Sequence, residues 1–304
     1  AGSTALADLA PEASGSSEGA RRRGLGSLLF KLRRRKFESA GLFLAAFAIV
    51  TALVGPLLVR GNPYTVHFAD RLLPPSSQHL FGTDTVGRDV LTRVVYGARL
   101  TLSAVALVVL AAVLIGVVIG TTAALSNWLV DEVLMRIADI GLSLPAMVLA
   151  LGLAAALGAG LRSAIIALAI AWWPGYARLV RTLVMQTRDR EFVEAARSLG
   201  ASRSRLIFLH ILPNSLDTLF VQTTLDVANV TVILAGLSFI GVGALPPDAE
   251  WGSMIADGRS YMITAWWVVV FPGLAVALTA LGFFLTGDLL RSELDPRLRT
   301  KAAG

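Results

Sequence analysis

Six windows of this sequence, residues 41–59, 100–125, 133–157, 164–184, 219–242 and 265–285, are each long and apolar enough to cross a bilayer. A span needs about 20 mainly apolar residues. Because hydrocarbon offers no partner for a bare backbone, a spanning segment must be a helix or part of a closed barrel. The runs are continuously apolar and do not alternate, which selects helices. The expected fold is therefore an all-α integral membrane protein with six transmembrane helices. A composition of 55% hydrophobic and 16% charged residues, with a mean hydropathy of +0.68, agrees with a chain whose solvent is lipid.

The net charge of +6 does not point to nucleic acid, because the basic residues collect at the ends of the apolar windows. Arg21, Arg22, Arg23, Lys31, Arg33, Arg34, Arg35 and Lys36 precede the first window. Positive charge stays on the cytoplasmic side, so the amino terminus is expected inside. Six crossings return the carboxyl terminus to the same side, in agreement with Arg291, Arg297, Arg299 and Lys301. They also place inside the loop that holds Arg188, Arg190, Arg197, Arg203 and Arg205. The segment 60–99 is then outside although it carries Arg60, Arg71, Arg88, Arg93 and Arg99. Pairing with Asp70, Asp84 and Asp89, or contact with lipid headgroups, would accommodate them. Residues 1–20 contain no apolar run that could serve as a signal-peptide core and are expected to be a disordered tail.

The expected organisation is a basic cytoplasmic tail over 1–38 and a first transmembrane helix over 39–60. An extracytoplasmic loop with an interfacial helix follows over 61–98. A membrane domain then covers 99–292 with a cytoplasmic loop at 187–214, and a short tail covers 293–304. Asp84 or Thr85 can cap the interfacial helix, whose Val90, Leu91, Val94 and Val95 form an apolar stripe. Gly116 and Gly120 allow a close helix approach, although glycine is common in membrane helices generally. Pro145, Pro174 and Pro272 lie in or near spans and predict kinks. Asp139, three residues after Arg136, is expected to pair with it. Asp226 lies deep in the fifth window, one turn before Asn229 and close to Thr223 and Thr224. A polar pathway and a hydrogen-bonded structural carboxylate are both open to it.

Several functions lack their residues. His67, His79 and His210 are not spaced with carboxylates as a metal site, and no Ser, His and Asp arrangement is present. No G-x-x-x-x-G-K-[ST] phosphate loop occurs. An ion-coupled transporter usually shows several buried carboxylates or paired broken helices, whereas only Asp226 is a candidate here.

The loop between the fourth and fifth windows reads as helix, turn, helix. Residues 191–199 are helix formers, Gly200 supplies a left-handed stop, and Ser202 can cap a second short helix running to Ile211. Pro213 stands at the entry to the fifth span. Such a hairpin can insert into a groove on a partner or lie on the lipid surface. Glu194, Ala195, Ala196, Gly200, Leu212 and Pro213 resemble, in order and spacing, the EAA motif of ABC importer permeases. The ending His210, Ile211, Leu212, Pro213, Asn214 is similar to the dipeptide, oligopeptide and nickel branch.

Three further blocks resemble the C-type permeases of that branch. The first runs from Phe81, Gly82, Thr83 and Asp84 to Tyr96, Gly97, Ala98 and Arg99. The second runs from Leu237 through Gly243 and Pro246 to Trp251 and Gly252, with Asp257 and Arg259. The third runs from Phe271, Pro272 and Gly273 to Arg291 and Leu298. Leu234 stands where many members carry Glu.

The resemblance implies a type I ABC importer permease fold in a bacterial inner membrane. It further implies a second homologous permease of the B type, two cytoplasmic ABC ATPase subunits that bind ATP and magnesium, and an extracytoplasmic substrate-binding protein. The chain itself would need no cofactor and would catalyse no reaction. Its implied ATPase-coupling residues are Glu194, Ala195, Ala196, Arg197, Gly200, Ala201, Ser202, Arg205, Leu206, His210 and Pro213. The segment 246–261 would be an amphipathic outer element near the docked binding protein. Peptide is the substrate class first implied; nickel and glutathione belong to the same branch.

Overall fold

The computed structural model describes residues 39–294 except 60, 203–204, 212 and 214–215, and a few further positions by backbone alone. The terminal tails expected from the sequence lie outside the described residues, as do Leu212 and Asn214 of the loop motif. Among the described residues the chain is helical, with one isolated bridge between Thr83 and Asp89. We number the helices α1 Ser39–Leu58, α2 Val90–Leu125, α3 Trp128–Leu142, α4 Ala146–Leu157, α5 Leu161–Arg188, α6 Glu191–Ser198, α7 Leu216–Ile240, α8 Trp251–Gly258 and α9 Trp267–Leu294.

Five of these helices, α1, α2, α5, α7 and α9, are individually long and apolar enough to cross a membrane. The remaining window is a broken pair: α3 and α4 meet at 90°. Proline explains the break. Pro145 lacks an N–H and disfavours helical backbone before it, and it stands as the first residue outside α4, where its carbonyl accepts from Val148 N at 2.9 Å and Leu149 N at 3.0 Å. Pro174 and Pro272, in contrast, sit inside α5 and α9, which run through them without a break. A single missing donor is tolerated where neighbouring helices hold the segment.

A second difference lies at the start of α2. The expected interfacial helix and second span form one 36-residue helix, so the boundary expected at 98/99 falls inside it. Its cap is Asp89, whose carboxylate accepts from Thr92 N at 2.8 Å, and not Asp84 or Thr85. Asp84 is occupied otherwise: its oxygens accept from the backbone N–H of Val86 and Arg88 at 3.0 and 2.9 Å and from Arg88 Nε at 2.6 Å.

α2 runs along α5, and α9 runs along α7. The α2–α5 contact is close because Gly116 and Gly120 face the α5 backbone. A Cβ at Gly116 would collide with Tyr176 and lie 3.0 Å from Ala177 N, and one at Gly120 would lie 2.9 Å from Val180 Cβ. The small-residue spacing is therefore a packing seam. The core inside this frame contains Val105, Val108, Leu168, Leu234 and Leu237. Leu234 is fully buried there, as a residue of a dry core. Large apolar side chains such as Phe43, Phe47, Leu53 and Leu57 of α1 face outward, as lipid requires and water would penalise.

The segment 61–89 is fastened to the helices by a buried charge cluster. Arg93 is 1% exposed; it donates to the carbonyls of Pro63, Pro247 and Asp248 at 3.0, 3.3 and 3.3 Å and lies 3.5 Å from Asp84. Arg88 also reaches Asp257 at 3.7 Å. Arg88 and Arg93 thus pair with Asp84, as expected, and Arg88 also with Asp257, which was not expected as a partner. Asp89 instead pairs with His79 at 3.0 Å. Arg71 donates to Tyr261 Oη at 2.6 Å and lies over its ring. Trp267 Nε1 donates to Thr83 O at 3.1 Å, and Phe81 stacks on Phe271 at 3.9 Å.

The segment expected to be an outer amphipathic element is wedged among α2, α7 and α9, with Trp251, Ser253 and Met254 buried. Glu250 caps it, accepting from Ser253 N at 2.9 Å and Thr101 Oγ1 at 3.4 Å; burial pushes its carboxyl above the usual range.

Candidate coupling loop and translocation cavity

The loop after α5 is a compact hairpin fixed to the membrane helices at two apolar points. α6 starts directly after Arg190 and ends where Gly200 adopts φ +83°, a left-handed conformation that residues with a Cβ resist. Ala201 N then donates to Ala196 O at 3.1 Å, the backward bond that closes a helix end on a left-handed residue. The second helical element, Leu206–Ile211, is π-helical. Ser202 stands before it as expected, accepting from Arg205 N at 3.4 Å and, through its carbonyl, from Leu206 N at 3.0 Å.

Val193 of α6 is fully buried and Leu206 is 5% exposed; both pack with Val180 and Val184 of α5 and Leu219 of α7. Ala196 and Ala201 lie at the edge of this cluster. The outward surface carries Glu194, Ala195, Gly200, Ser202, Arg205 and Pro213, with Leu199 at 89% and Leu209 at 61% exposure. The side chains of Arg197 and His210 lie outside the described residues. Val193, Leu199 and Leu209 were not singled out by sequence, although a buried Val flanked by exposed charges in an eight-residue amphipathic helix is a legible signal.

The helix ends next to this loop are braced by arginines. Arg181 grips Asp131 with two bonds of 2.5 and 2.6 Å, Arg178 pairs with Asp139, and Arg188 donates to Ala124 O at 2.9 Å. The expected Arg136–Asp139 pair is therefore replaced: Arg136 turns to Glu132 at 2.8 Å, one turn earlier, and Asp139 faces α5. A spacing of four aligns two side chains at least as well as three, and a neighbouring helix supplied the better cation for Asp139.

Beside the α3–α4 break lies a cavity of about 300 Å³. Leu142 and Ala146 line it at the break, Trp172, Gly175 and Tyr176 from α5, and Gln222 and Asp226 from α7. Gly141 admits α5 at this point, since a Cβ there would lie 2.9 Å from Pro174 Cγ. Asp226 is 6% exposed and accepts from Gln222 Nε2 at 3.1 Å. Tyr176 Oη lies close to Asp226 and Thr223 but meets hydrogen-bond geometry with neither. Thr223 and Thr224 bond back to their own helix, at Leu219 O and Phe220 O. Asn229 does not line the cavity and is exposed on the surface of the chain. Of the two pathway candidates the structure brings one to the cavity, and it adds Tyr176 and Gln222. Gln222, one turn before Asp226, was legible as its partner; Tyr176, in an apolar run of another helix, was not.

Comparison with known proteins agrees with this architecture. Residues 112–300 match the model of the binding-protein-dependent transport system inner membrane component family. A Brucella suis protein named for a peptide transport system permease is 43% identical over 270 residues, covering 89% of this chain and 90% of that protein. A dipeptide transport system permease protein of Alkalihalophilus pseudofirmus is 40% identical, covering 89% of each chain. A nickel transport system permease protein of Escherichia coli strain K12 is 38% identical, covering 90% of this chain and 99% of that protein. Among solved structures, an inward-facing methionine ABC transporter superposes with a TM-score of 0.54 over 67% of this chain and 98% of that one; at 20% identity the likeness is one of fold. The chain belongs to the inner membrane components of binding-protein-dependent transport systems, as a multi-pass permease of an ABC importer.

Proposed function

We propose that this permease forms half of the path by which di- or oligopeptides enter a bacterial cell, and that separate subunits hydrolyse the ATP that drives it. The observation that carries the coupling is the anchoring of the loop. Val193 and Leu206 lock it onto both α5 and α7, while Leu199 and Leu209 project apolar side chains that no described residue covers. A short rigid element held in this way transmits a push to two spans at once, and its exposed apolar tip suits a groove on a partner. The peptide reading rests on the names of the relatives that cover nearly the whole chain.

In this reading the permease domain runs from the start of α2 to residue 292, the coupling loop is 187–214, and both termini are cytoplasmic. Glu194, Ala195, Ala196, Arg197, Gly200, Ala201, Ser202, Arg205, Leu206, His210 and Pro213 form or support the surface that meets the ATPase. The assembly holds a second permease, two ATPases carrying ATP and magnesium, and a substrate-binding protein outside. ATPase closure on ATP pushes the loop, and the spans open outward to receive substrate.

Gly200→Val tests the coupling role. A Cβ at Gly200 meets nothing within 4 Å, so the substitution acts through the backbone alone. Its left-handed conformation costs a residue with a Cβ about 1–2 kcal/mol, and more when β-branched. We expect the ATPase to stop co-purifying and uptake to fall to about a tenth or less, while Gly200→Asn, which tolerates this conformation, keeps most of both. Normal ATPase retention and uptake in Gly200→Val would refute the coupling assignment.

A further inference from the structure

We propose that Arg71 and Arg259, on either side of Tyr261, form a cationic docking point for carboxylates on the surface of the extracytoplasmic binding protein. This rests on the importer reading and adds to it the residues that receive the outer partner and the chemistry of the face they receive.

The two arginines lie at the far end of α7 from the coupling loop. That loop leads into α7 at Leu216, whereas Arg259 and Tyr261 follow the last turn of α7. A helix of 25 residues is about 37 Å long, more than the thickness of a hydrocarbon core. A cytoplasmic coupling loop therefore puts Arg259 and Tyr261 outside.

Charge at this end is sorted by depth. Arg88 and Arg93 are buried with Asp84, and the other carboxylates of 61–89 and 245–266, namely Asp70, Asp89, Asp248, Glu250 and Asp257, are half-buried or buried. The exposed charges are arginines: Arg71 and Arg259, together with Arg99 in the first three turns of α2 and Arg162 in the first turn of α5. None of these four forms an ion pair among the described residues. Positive charge is normally kept on the opposite side of the membrane, so topology does not account for it here.

Two of the four are also held in place. Arg71 donates to Tyr261 Oη at 2.6 Å, with its Cζ 5.5 Å from the ring centre, and Arg259 Cζ lies 6.0 Å from the centre of the Phe239 ring. Aromatic contacts orient a guanidinium without neutralising it, and a planar fork so oriented matches a carboxylate. Tyr261 ends the short turn that follows α8, which is itself wedged among α2, α7 and α9. A partner bound here pulls on three helices together. The family depends on a binding protein, and a fixed field of one sign steers and registers an acidic protein face. Lipid phosphates carry the same charge but are served as well by mobile side chains; held orientations favour a surface whose carboxylates are themselves fixed.

The test uses the complete complex of both permeases and the ATPases in nanodiscs made with and without phosphatidylglycerol. ATPase rate is measured against the concentration of the binding protein of the same transport system, loaded with Ala-Ala. Salt is set at about 0.05 and 0.3 M, where screening lengths differ about twofold. Arg259→Glu, alone and combined with Arg71→Gln, is expected to raise the half-saturating concentration about tenfold or more and to flatten its dependence on salt. The rate without binding protein, the rate at saturation and the complex yield should stay as in wild type, which a merely structural role would not allow. If the double variant fails to assemble, Arg259→Glu decides, since the Arg259 side chain donates no hydrogen bond among the described residues. Half-saturation within twofold of wild type in Arg259→Glu overturns the docking point. A shift that vanishes without phosphatidylglycerol overturns it by assigning the arginines to lipid, and loss of the partner permease from Arg259→Glu does so by assigning them to the subunit contact. A wild-type complex whose ATPase ignores the binding protein overturns the importer reading, and the inference with it.

Discussion

Replacing Arg93 with alanine is expected to lower the melting temperature of the detergent-solubilised permease by roughly 10 °C, the larger of two strong effects on the folded state. The guanidinium is 1% exposed and serves the carbonyls of Pro63, Pro247 and Asp248 while facing Asp84. Its removal leaves buried acceptors without donors and Asp84 with Arg88 as its remaining cation. Breaking a buried pair by deleting one partner costs about 3–5 kcal/mol, and each kcal/mol is worth about 2–4 °C in a domain of this size. Arg93→Lys should fall between, because an ammonium keeps the charge but cannot fork across three carbonyls. Fluorescence-monitored unfolding measures this; a melting temperature within about 2 °C of wild type in Arg93→Ala would show that the cluster does not fasten the outer segment.

The second large effect is expected at the seam between α2 and α5. Gly116→Val places three carbons where a single Cβ already collides with Tyr176 and lies 3.0 Å from Ala177 N. Two of the nearest atoms are backbone of α5, so relief requires the helices to separate. Overpacking of this kind costs about 1–3 kcal/mol or more. It also shifts Tyr176 at the cavity, so transport should be lost together with stability. Yield from membranes and uptake should fall together, whereas Val at the exposed Val118 position of the same helix, already present in the chain, marks the face that tolerates bulk.

The contrast between these two sites shows what a sequence of this kind makes legible. Apolar windows follow from the bilayer's thickness, and all six coincide with helical segments, because span length is set by the solvent and not by tertiary detail. The seam at Gly116 and Gly120 is visible as spacing on one helix. What lies on the other side of it is not, because Tyr176 and Ala177 are about sixty residues away in sequence. The same limit redirected Asp139 to Arg178 and gave Arg88 a second partner in Asp257. Intrahelix spacing reveals neighbours on one cylinder and is silent about the next.

Local chemistry misled in one place. Asp84 has the composition of a cap, yet a buried arginine makes a stronger claim on it, and Asp89 takes the cap. Pro145 broke its window whereas Pro174 and Pro272 did not. The loop hairpin, in contrast, was legible down to its left-handed glycine, because Gly200 and Ser202 punctuate the chain locally.

If ATP hydrolysed on separate subunits drives this permease through the loop at 187–214, ATP and nothing else must power uptake. The most direct test is uptake by proteoliposomes that hold the full complex, with ionophores present to abolish proton and sodium gradients. Uptake should require ATP on the side of the coupling loop and the binding protein on the other, and should be indifferent to the ionophores. Uptake that follows an imposed ion gradient in the absence of ATP would contradict it.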